Sequence, residues 1–397
     1  MADITKHTKK SSVLISAAFL MATSAIGPGF LTQTASFTNT LLASFGFVIL
    51  ISILLDIGAQ LTIWKVLCAG GMRAQVMANK VIPGAGYVLT SLIVLGGLAF
   101  NTGNLAGAGL GLEVLTGWSP KWGAAISAAI ALLIFWRKDS LQWMDAFTRV
   151  LGLLMIALTV YVVFKASPPL SEALQRTFVP ATIDLTAIIT LVGGTVGGYI
   201  SFAGAHRLID AGLTGKENTE AVGRSAISAI LLASVMRVLL FLAALGVVAK
   251  GISLGTTKPA AAVFKEAAGA MGYKLFGIVM WCAAITSVVG SAYTSISFLR
   301  YNERAETDRS NQKWLVGFVI LSLVIFLIWG KPVTVLLLAG AINGFILPVA
   351  LGIILLAAGQ KKIMGDYQHN KWLTLLGVLV LVATLYLSIA TLSKLVN

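Results

Sequence analysis

Long apolar stretches separated by short polar connections set the pattern of this chain. Residues 11–55 contain no charged side chain. That run is long enough for two helical crossings of a bilayer, which take roughly 20 residues each, with a turn near Ser44-Phe45-Gly46. Further apolar runs cover 81–112, 122–136, 150–164, 185–205, 222–249, 275–299, 314–330, 332–360 and 372–393. One span for each predicts eleven transmembrane helices in all, with Asp56 inside the second and Arg237 inside the seventh. The fourth and fifth are short between charges and must extend into their flanks.

Composition narrows the class. Hydrophobic residues make up 57% and charged residues 11% of the 397, where soluble domains run near a quarter charged. A soluble enzyme is excluded, and so is disorder, because too much apolar surface would be left solvated. No nucleophile–base pair is apparent, so an enzyme within the membrane is the least supported class. The net charge of +14 would point to nucleic acid in a soluble protein. Here the basic residues sit between apolar runs and read as topology signals beside anionic lipid; the partner is membrane lipid and not nucleic acid. With the N-terminus inside, 19 basic residues fall in cytoplasmic segments and 9 outside, which predicts a cytoplasmic N-terminus and an extracellular C-terminus. Lys250, Lys258, Lys265 and Lys274 oppose that bias from a connection long enough to translocate regardless of charge. Cys68 and Cys282 imply neither a disulfide framework nor a metal cluster, and no cofactor is expected. The apolar run behind Lys6, Lys9 and Lys10 is too long for a signal-peptide core.

Eleven spans divide as five, five and one. Because five is odd, two homologous five-helix units in series insert with opposite orientation, the inverted repeat of many secondary transporters. The chain is read as a cytoplasmic tail over 1–11, a first repeat over 12–165, an extracellular loop over 166–183, a second repeat over 184–360, and an eleventh helix with the C-terminus over 361–397. Such folds place the substrate where the first helix of each unit is interrupted near the midplane. Span one carries Gly27-Pro28-Gly29 and then Gln33, Thr34, Ser36, Thr38 and Asn39; span six carries Gly193-Gly194-Thr195-Val196-Gly197-Gly198-Tyr199. Gly costs about 1 kcal/mol against Ala inside a helix and Pro about 3. Broken backbone at membrane depth persists only where protein or a water-filled cavity satisfies it. The expected breaks are Thr34–Thr40 and Gly194–Tyr199, facing each other. Gly103, Gly107, Gly109 and Gly111 of span three read as packing positions instead.

The residues at the first break carry a family resemblance. Gly27-Pro28-Gly29-Phe30-Leu31 resembles the opening of the first helix in the NRAMP (natural resistance-associated macrophage protein) family of divalent-metal transporters. Gly194-Thr195-Val196 resembles the lead-in to that family's sixth-helix motif, and Leu347-Pro348 in span ten fits the same pattern. The resemblance covers nearly the whole chain. It implies an all-α membrane protein of LeuT-type fold, with a 5+5 inverted repeat plus an eleventh transmembrane helix, helices 1 and 6 broken, and transport by alternating access. It also implies a metal site built from an Asp-Pro-Gly-Asn motif in helix one and a Met-Pro-His motif in helix six. Laid on this sequence the first falls near Thr38-Asn39-Thr40-Leu41 and the second on Gly197-Gly198-Tyr199, while the family's acidic pair in helix three falls on Asn101 and Asn104. No Asp or Glu lies between Asp3 and Asp56, so the chain resembles a divergent branch lacking the metal-binding motifs.

Transition metals need carboxylate, imidazole or sulfur ligands, and Mg2+ wants carboxylates or phosphates beside its waters. Hydroxyls, amides and Gly-Gly backbone suit a small polar organic solute, whose carboxylate can bind a half-helix N-terminus. Members of the resembled branch are often linked by gene neighbourhood to 5-oxoproline metabolism, which implies a 5-oxoproline-like carboxylate. The candidate substrate-binding residues are Gln33, Thr34, Ser36, Thr38, Asn39, Asn104, Gly197, Gly198, Tyr199 and Asn343, with no metal ligand among them. Asp56 and Arg237 are either a buried ion pair fixing helix packing or functional groups, Arg237 as a carboxylate anchor and Asp56 as a protonation site. His206 is either interfacial or a proton relay. Thr286, Ser287, Ser291, Thr294, Ser295 and Ser297 of span eight either hold Na+ or bond their own backbone, leaving H+ and Na+ both open as the coupling ion. The reading is a secondary transporter of a small organic anion or amino-acid-like solute. Its rivals are divalent-metal transport through backbone groups and a non-transporting membrane sensor or scaffold.

Overall fold

The computed structural model describes residues 2–136, 140–255, 258–300, 309–329 and 332–396, and these are helical with short connections. Arg137, Lys138, Arg304 and Lys331, which enter the charge count, lie outside the described residues. The helices in the first half are α1 (Ala2–Ala25), α2 (Pro28–Leu41), α3 (Phe45–Gly70), α4 (Ala74–Val81), α5 (Ala85–Thr116), α6 (Pro120–Trp136), α7 (Ser140–Ala166) and α8 (Leu170–Phe178). In the second half they are α9 (Leu185–Val196), α10 (Ile200–Asp210), α11 (Thr219–Val248), α12 (Pro259–Ser297), α13 (Arg309–Trp329), α14 (Pro332–Ala358), α15 (Lys361–Met364) and α16 (Lys371–Val396). Among the described residues, seven helical stretches are long and apolar enough to cross a membrane, and four shorter apolar helices, Lys10–Ala25, Pro120–Trp136, Ile346–Ala358 and Lys371–Tyr386, accompany them.

Burial separates the centre of the bundle from its rim. The apolar window of α12 is 83% buried, against 28% in α7 and in α13. Apolar side chains on the rim, such as Phe164 and Ile328, point outward, as expected for surfaces facing lipid. α5 packs along α12, and α11 along α3; α1 contacts α7, α10, α11 and α12. The turn between α2 and α3 falls at Leu42–Ser44, a short 3-10 segment, next to the Ser44-Phe45-Gly46 position read from the sequence. α12 bends at Ala268–Gly269, where Gly269 takes a φ of +60°.

Both expected interruptions exist, but one is displaced. The second lies at Gly197–Tyr199, between α9 and α10, inside the predicted Gly194–Tyr199; Gly194, Thr195 and Val196 remain helical. The first lies at Ile26–Gly27, not Thr34–Thr40, which is helical through most of α2. The physical reason is proline chemistry. Pro28 has no N–H to continue α1 and takes the first position of α2 with Gly27 as its N-cap. The hydroxyls farther on fold back on their own helix: Thr34 donates to the Phe30 carbonyl at 2.8 Å and Thr38 to that of Thr34 at 2.7 Å.

Glycines in α5 set how near the first break its neighbours come. A Cβ on Gly107 would run into the Pro28 ring, one on Gly109 into the Pro120 carbonyl, and one on Gly111 would lie 2.7 Å from the Trp281 backbone nitrogen. These are close-approach positions, as in small-residue packing of membrane helices. Gly29, by contrast, has nothing within 4 Å of where a Cβ would stand. Gly107→Val should therefore lower the melting temperature of the detergent-purified protein, at a cost of about 1–3 kcal/mol for overpacking. Gly29→Ala should leave it nearly unchanged in the same thermal scan; equal effects would contradict this packing.

Candidate functional site

The end of α1 and the start of α2 leave backbone groups that no helix can satisfy. Ser287 of α12 reaches them, its hydroxyl lying 2.9 Å from the Thr23 carbonyl, 3.3 Å from that of Ser24 and 3.5 Å from that of Ile26. Tyr199, at the other break, donates from its hydroxyl to the Ser24 carbonyl at 3.3 Å, and its ring stands edge-on to Phe100 at 5.6 Å. Asn104 and Ser287 close over Gly27: a Cβ there would sit 3.1 Å from Asn104 Oδ1 and 3.3 Å from Ser287 Oγ. Asn104 is buried, and neither polar side-chain atom is hydrogen-bonded among the described residues.

Moving the break also moves the comparison with the family's helix-one motif. Its central Pro-Gly coincides with Pro28-Gly29 at the break, not with Asn39-Thr40. Gly27 and Phe30 then stand in place of the motif's carboxylate and amide.

At the second break Gly198 has a φ of +54°, a left-handed conformation that side chains other than glycine's disfavour. Asn343 of α14 packs on it, so that a Cβ on Gly198 would run into Asn343 Oδ1, while the Asn343 amide donates to the Gly96 carbonyl at 2.9 Å. A Cβ on Gly197 would run into the Gly193 carbonyl. The two glycines are thus covered by protein rather than open to a solute, as the sequence alone suggested. Gln33 lies over Gly194, its Oε1 buried without a partner among the described residues and 2.9 Å from where a Cβ would stand.

The remaining candidates divide. Thr34 and Thr38 are occupied with their own helix, and Ser36 is half-buried beside them. Asn39 stands about 18 Å along the axis from Gly27 at 1.5 Å per residue, and its Oδ1 accepts from the Leu254 backbone N–H at 3.3 Å. It is not at the break, because the break is at the proline. Gln33, Asn104, Gly197, Gly198, Tyr199 and Asn343 do come together around the two interruptions.

Asp56 of α3 and Arg237 of α11 are both buried, at 1% and 3% exposure. They do not form a direct ion pair, which corrects the simplest structural reading. Arg237 instead reaches Thr195, in the last turn of α9: its Nη1 donates to Thr195 Oγ1 at 2.9 Å. The guanidinium lies over the Phe30 ring, 4.0 Å from its centroid, so Arg237 touches the first turn of α2 and the last turn of α9 at once. Its Nε and Nη2 have no partner among the described residues. Those two N–H groups form one edge of the guanidinium, the fork that matches a carboxylate bidentately.

His206 lies elsewhere, at the far end of α10. Its Nε2 accepts from the Ala74 N–H at 3.2 Å, which places the proton on Nδ1, 2.6 Å from Ser297 Oγ. Both nitrogens are engaged by neighbouring helices, the structural role. Around it Asp210 receives Arg73, Arg300 and the Tyr293 hydroxyl, and Arg207 pairs with Asp145 at 2.9 Å. This polar latch ties α10, the start of α4, α7 and the end of α12. In span eight, Thr286 and Thr294 bond their own helix, Ser291 bonds the Gly97 carbonyl at 3.0 Å, and Ser295 Oγ has no partner. Asn101 donates to Ser322 at 2.9 Å. Thr195 and Phe30 are the site residues that sequence reasoning passed over; their signal was adjacency to Gly197 and to Pro28.

Two facing helix interruptions inside an inverted repeat define a membrane transporter of LeuT-type fold. The profile of the "Natural resistance-associated macrophage protein-like" family matches residues 18–394, and the chain belongs to that family. It is 56% identical over 381 residues to the uncharacterized membrane protein YcsG of Bacillus subtilis (strain 168), covering 96% of this chain and 94% of that protein. It is 55% identical over 381 residues to an uncharacterized membrane protein of Haemophilus influenzae, covering 96% of each. Among solved structures it superposes on a mutant of the Eremococcus coleocola manganese transporter with a TM-score of 0.79 at 14% identity, covering 97% of this chain and 87% of that one. It also superposes on MhsT in complex with L-phenylalanine with a TM-score of 0.61 at 19% identity, over 94% and 98% of the two chains. At these identities the likeness is one of fold.

Gly198→Ala should destabilise the protein by about 1–2 kcal/mol from the left-handed backbone alone, and by more once Asn343 is displaced. A melting temperature equal to wild type would show that the turn relaxes freely.

Proposed function

We propose that this protein is a secondary active transporter of a small organic anion or amino-acid-like solute, with a 5-oxoproline-like carboxylate as the best candidate. The observation that carries the reading is Arg237: a buried guanidinium at both helix breaks with one bidentate edge unpartnered among the described residues. Behind Phe30 stands the N-terminus of α2, whose first N–H groups and dipole also favour an anion. Gln33, Asn104 and Tyr199 supply polar groups for the rest of the solute. The chain sits in the cytoplasmic membrane with eleven crossings, N-terminus inside and C-terminus outside, which the 19-to-9 charge bias supports. The repeat boundaries 12–165 and 184–360 go with that arrangement.

Divalent-metal transport is the alternative; the Eremococcus coleocola structure of the same fold is a manganese transporter. Gly27 and Gly197 offer no ligating side chain, and no group of three or more His, Cys, Asp or Glu gathers among the described residues. A buried cation beside the breaks also opposes a second one. Both considerations favour the anion.

Binding is tested by thermal shift, since a ligand held by the folded state raises its apparent stability. 5-Oxoproline should stabilise the wild type, and Mn2+ should not. Arg237→Gln should weaken 5-oxoproline binding about 150-fold or more, the worth of two charge-assisted hydrogen bonds, and should itself lower the melting temperature by leaving Asp56 buried without a counter-charge. Adding Asp56→Asn should restore stability without restoring binding. Stabilisation by Mn2+, or full binding in Arg237→Gln, contradicts the reading.

A further inference from the structure

Most polar side chains around the first break are already engaged. Ser287 and Tyr199 direct their hydroxyl protons at carbonyls in the last turn of α1, and Ser291 directs its own at the Gly97 carbonyl. Asn101, three residues before Asn104 on α5, donates to Ser322 at 2.9 Å. Asn104 differs. It is 1% exposed, and neither its Oδ1 nor its Nδ2 has a partner among the described residues. A buried amide without hydrogen bonds is costly, and native interiors rarely keep one. We propose that Asn104 is the specificity-determining residue of the site and reads a cis amide in the solute, so that a cyclic amide (lactam) acid is taken and the corresponding amino acid refused. This rests on the anion reading above and names the solute's second recognition group.

The pairing follows from the shape of a carboxamide. The asparagine side chain presents a C=O acceptor and one N–H of its NH2 group side by side. A single partner that satisfies both must present a donor and an acceptor side by side as well. In a trans secondary amide the N–H and C=O point to opposite sides, which is the ordinary geometry of an open chain. A small ring forces the amide cis and turns both groups to one edge. The solute N–H then donates to Asn104 Oδ1, and Asn104 Nδ2 donates to the solute carbonyl. Both orphaned atoms are met at once.

Asn104 and Arg237 meet the same helix one turn apart. Asn104 Oδ1 lies 3.1 Å from where a Cβ on Gly27 would stand, and the Arg237 guanidinium lies 4.0 Å from the centre of the Phe30 ring. Three residues of helix separate these positions by about 4.5 Å along the axis. In a five-membered lactam acid the carboxylate sits on the carbon next to the amide nitrogen, within about 3–5 Å of the amide groups by ordinary bond lengths. One small molecule therefore has the right length to hold both side chains.

Charge rules out the amino acid. An α-amino acid would put an ammonium where the lactam N–H stands. The helices that meet at the first break, α1, α2, α5 and α12, carry Asp3, Glu113 and Glu266 as their acidic side chains. Glu113 lies nine residues beyond Asn104, about 13.5 Å along α5, and pairs with Lys258 at 3.6 Å. Asp3 is 24 residues before Gly27, and Glu266 precedes the bend in α12, 21 residues before Ser287. An ammonium beside Asn104 would be buried without a counter-charge. It would also leave Asn104 Nδ2 unmet, because an ammonium accepts no hydrogen bond.

The test titrates three five-membered-ring acids, 5-oxoproline, proline and cyclopentanecarboxylate, into the purified full-length protein by calorimetry. All three keep the carboxylate for Arg237 and differ in what they offer Asn104. The wild type should bind 5-oxoproline about 30-fold more tightly than cyclopentanecarboxylate, the worth of two neutral hydrogen bonds, and proline more weakly than either. Asn104→Leu, or Asn104→Ala if the leucine does not fold, should bind 5-oxoproline and cyclopentanecarboxylate equally. Equal binding of those two acids by the wild type, or an undiminished preference in the Asn104 variant, overturns the amide reading and leaves the anion reading standing. Proline bound as tightly as 5-oxoproline does the same. No binding of 5-oxoproline or cyclopentanecarboxylate by the wild type overturns the anion reading and the amide reading with it.

Discussion

Backbone polar groups at membrane depth must find partners inside the protein, and that constraint organises everything around the two breaks. Lipid offers no hydrogen bonds, so every carbonyl or N–H released by unwinding has to be met by another helix. Ser287 turns its one hydroxyl proton among the carbonyls at the end of α1, nearest that of Thr23 at 2.9 Å, and Tyr199 crosses from the second break to the Ser24 carbonyl. Asn343 fills the hollow at Gly198 while bonding α5, and Trp64 Nε1 donates to the Ser201 carbonyl at 2.8 Å just beyond the second break. α12, α14 and α3 are held in place by the interruptions they satisfy. The site is therefore assembled by the same contacts that make the broken helices tolerable.

Arg237 follows from this arrangement. A guanidinium in a bundle interior is retained only with partners, and here it has three: the Phe30 face, the Thr195 hydroxyl and the field of Asp56. None of them engages the Nε and Nη2 edge. Cation–π contact uses the flat face of the group, leaving its in-plane donors available to a carboxylate. Glycine, phenylalanine and tyrosine stand where the resembled motifs would put metal ligands, and the charged group that touches both breaks is the guanidinium of Arg237 on α11. At the opposite end of the bundle, Asp210 with Arg73, Arg300 and Tyr293 closes α10 against α4 and α12, a region the substrate reading does not use.

Much of this was legible in the sequence, for identifiable reasons. Charge-free runs and the oddness of five located the repeat, and Gly197-Gly198 marked the second break because consecutive glycines have few other uses in a membrane helix. The first break was misplaced because hydroxyl content was weighed above punctuation. Gly27-Pro28 carries the start signal of a new helix, whereas Thr34 and Thr38 bond back one turn and stabilise the helix they were expected to interrupt. Asn39 was drawn into the site by that error. The burial of Asp56 and Arg237 was visible from the rarity of charge in spans, but not the Thr195 hydroxyl that Arg237 uses, since nothing in a one-dimensional pattern shows which hydroxyl a neighbouring helix will present. His206 became intelligible only with the Ala74 N–H and Ser297 Oγ on either side of its ring.

A structure determined with 5-oxoproline bound tests the account most directly. The solute should lie between Phe30, Thr195 and Gln33, with its carboxylate oxygens about 2.7–2.9 Å from Arg237 Nε and Nη2. A solute seated away from Arg237 would contradict the anion-anchor account, as would an anomalous peak for Mn2+ beside Gly27 and Gly197 in crystals soaked with that metal.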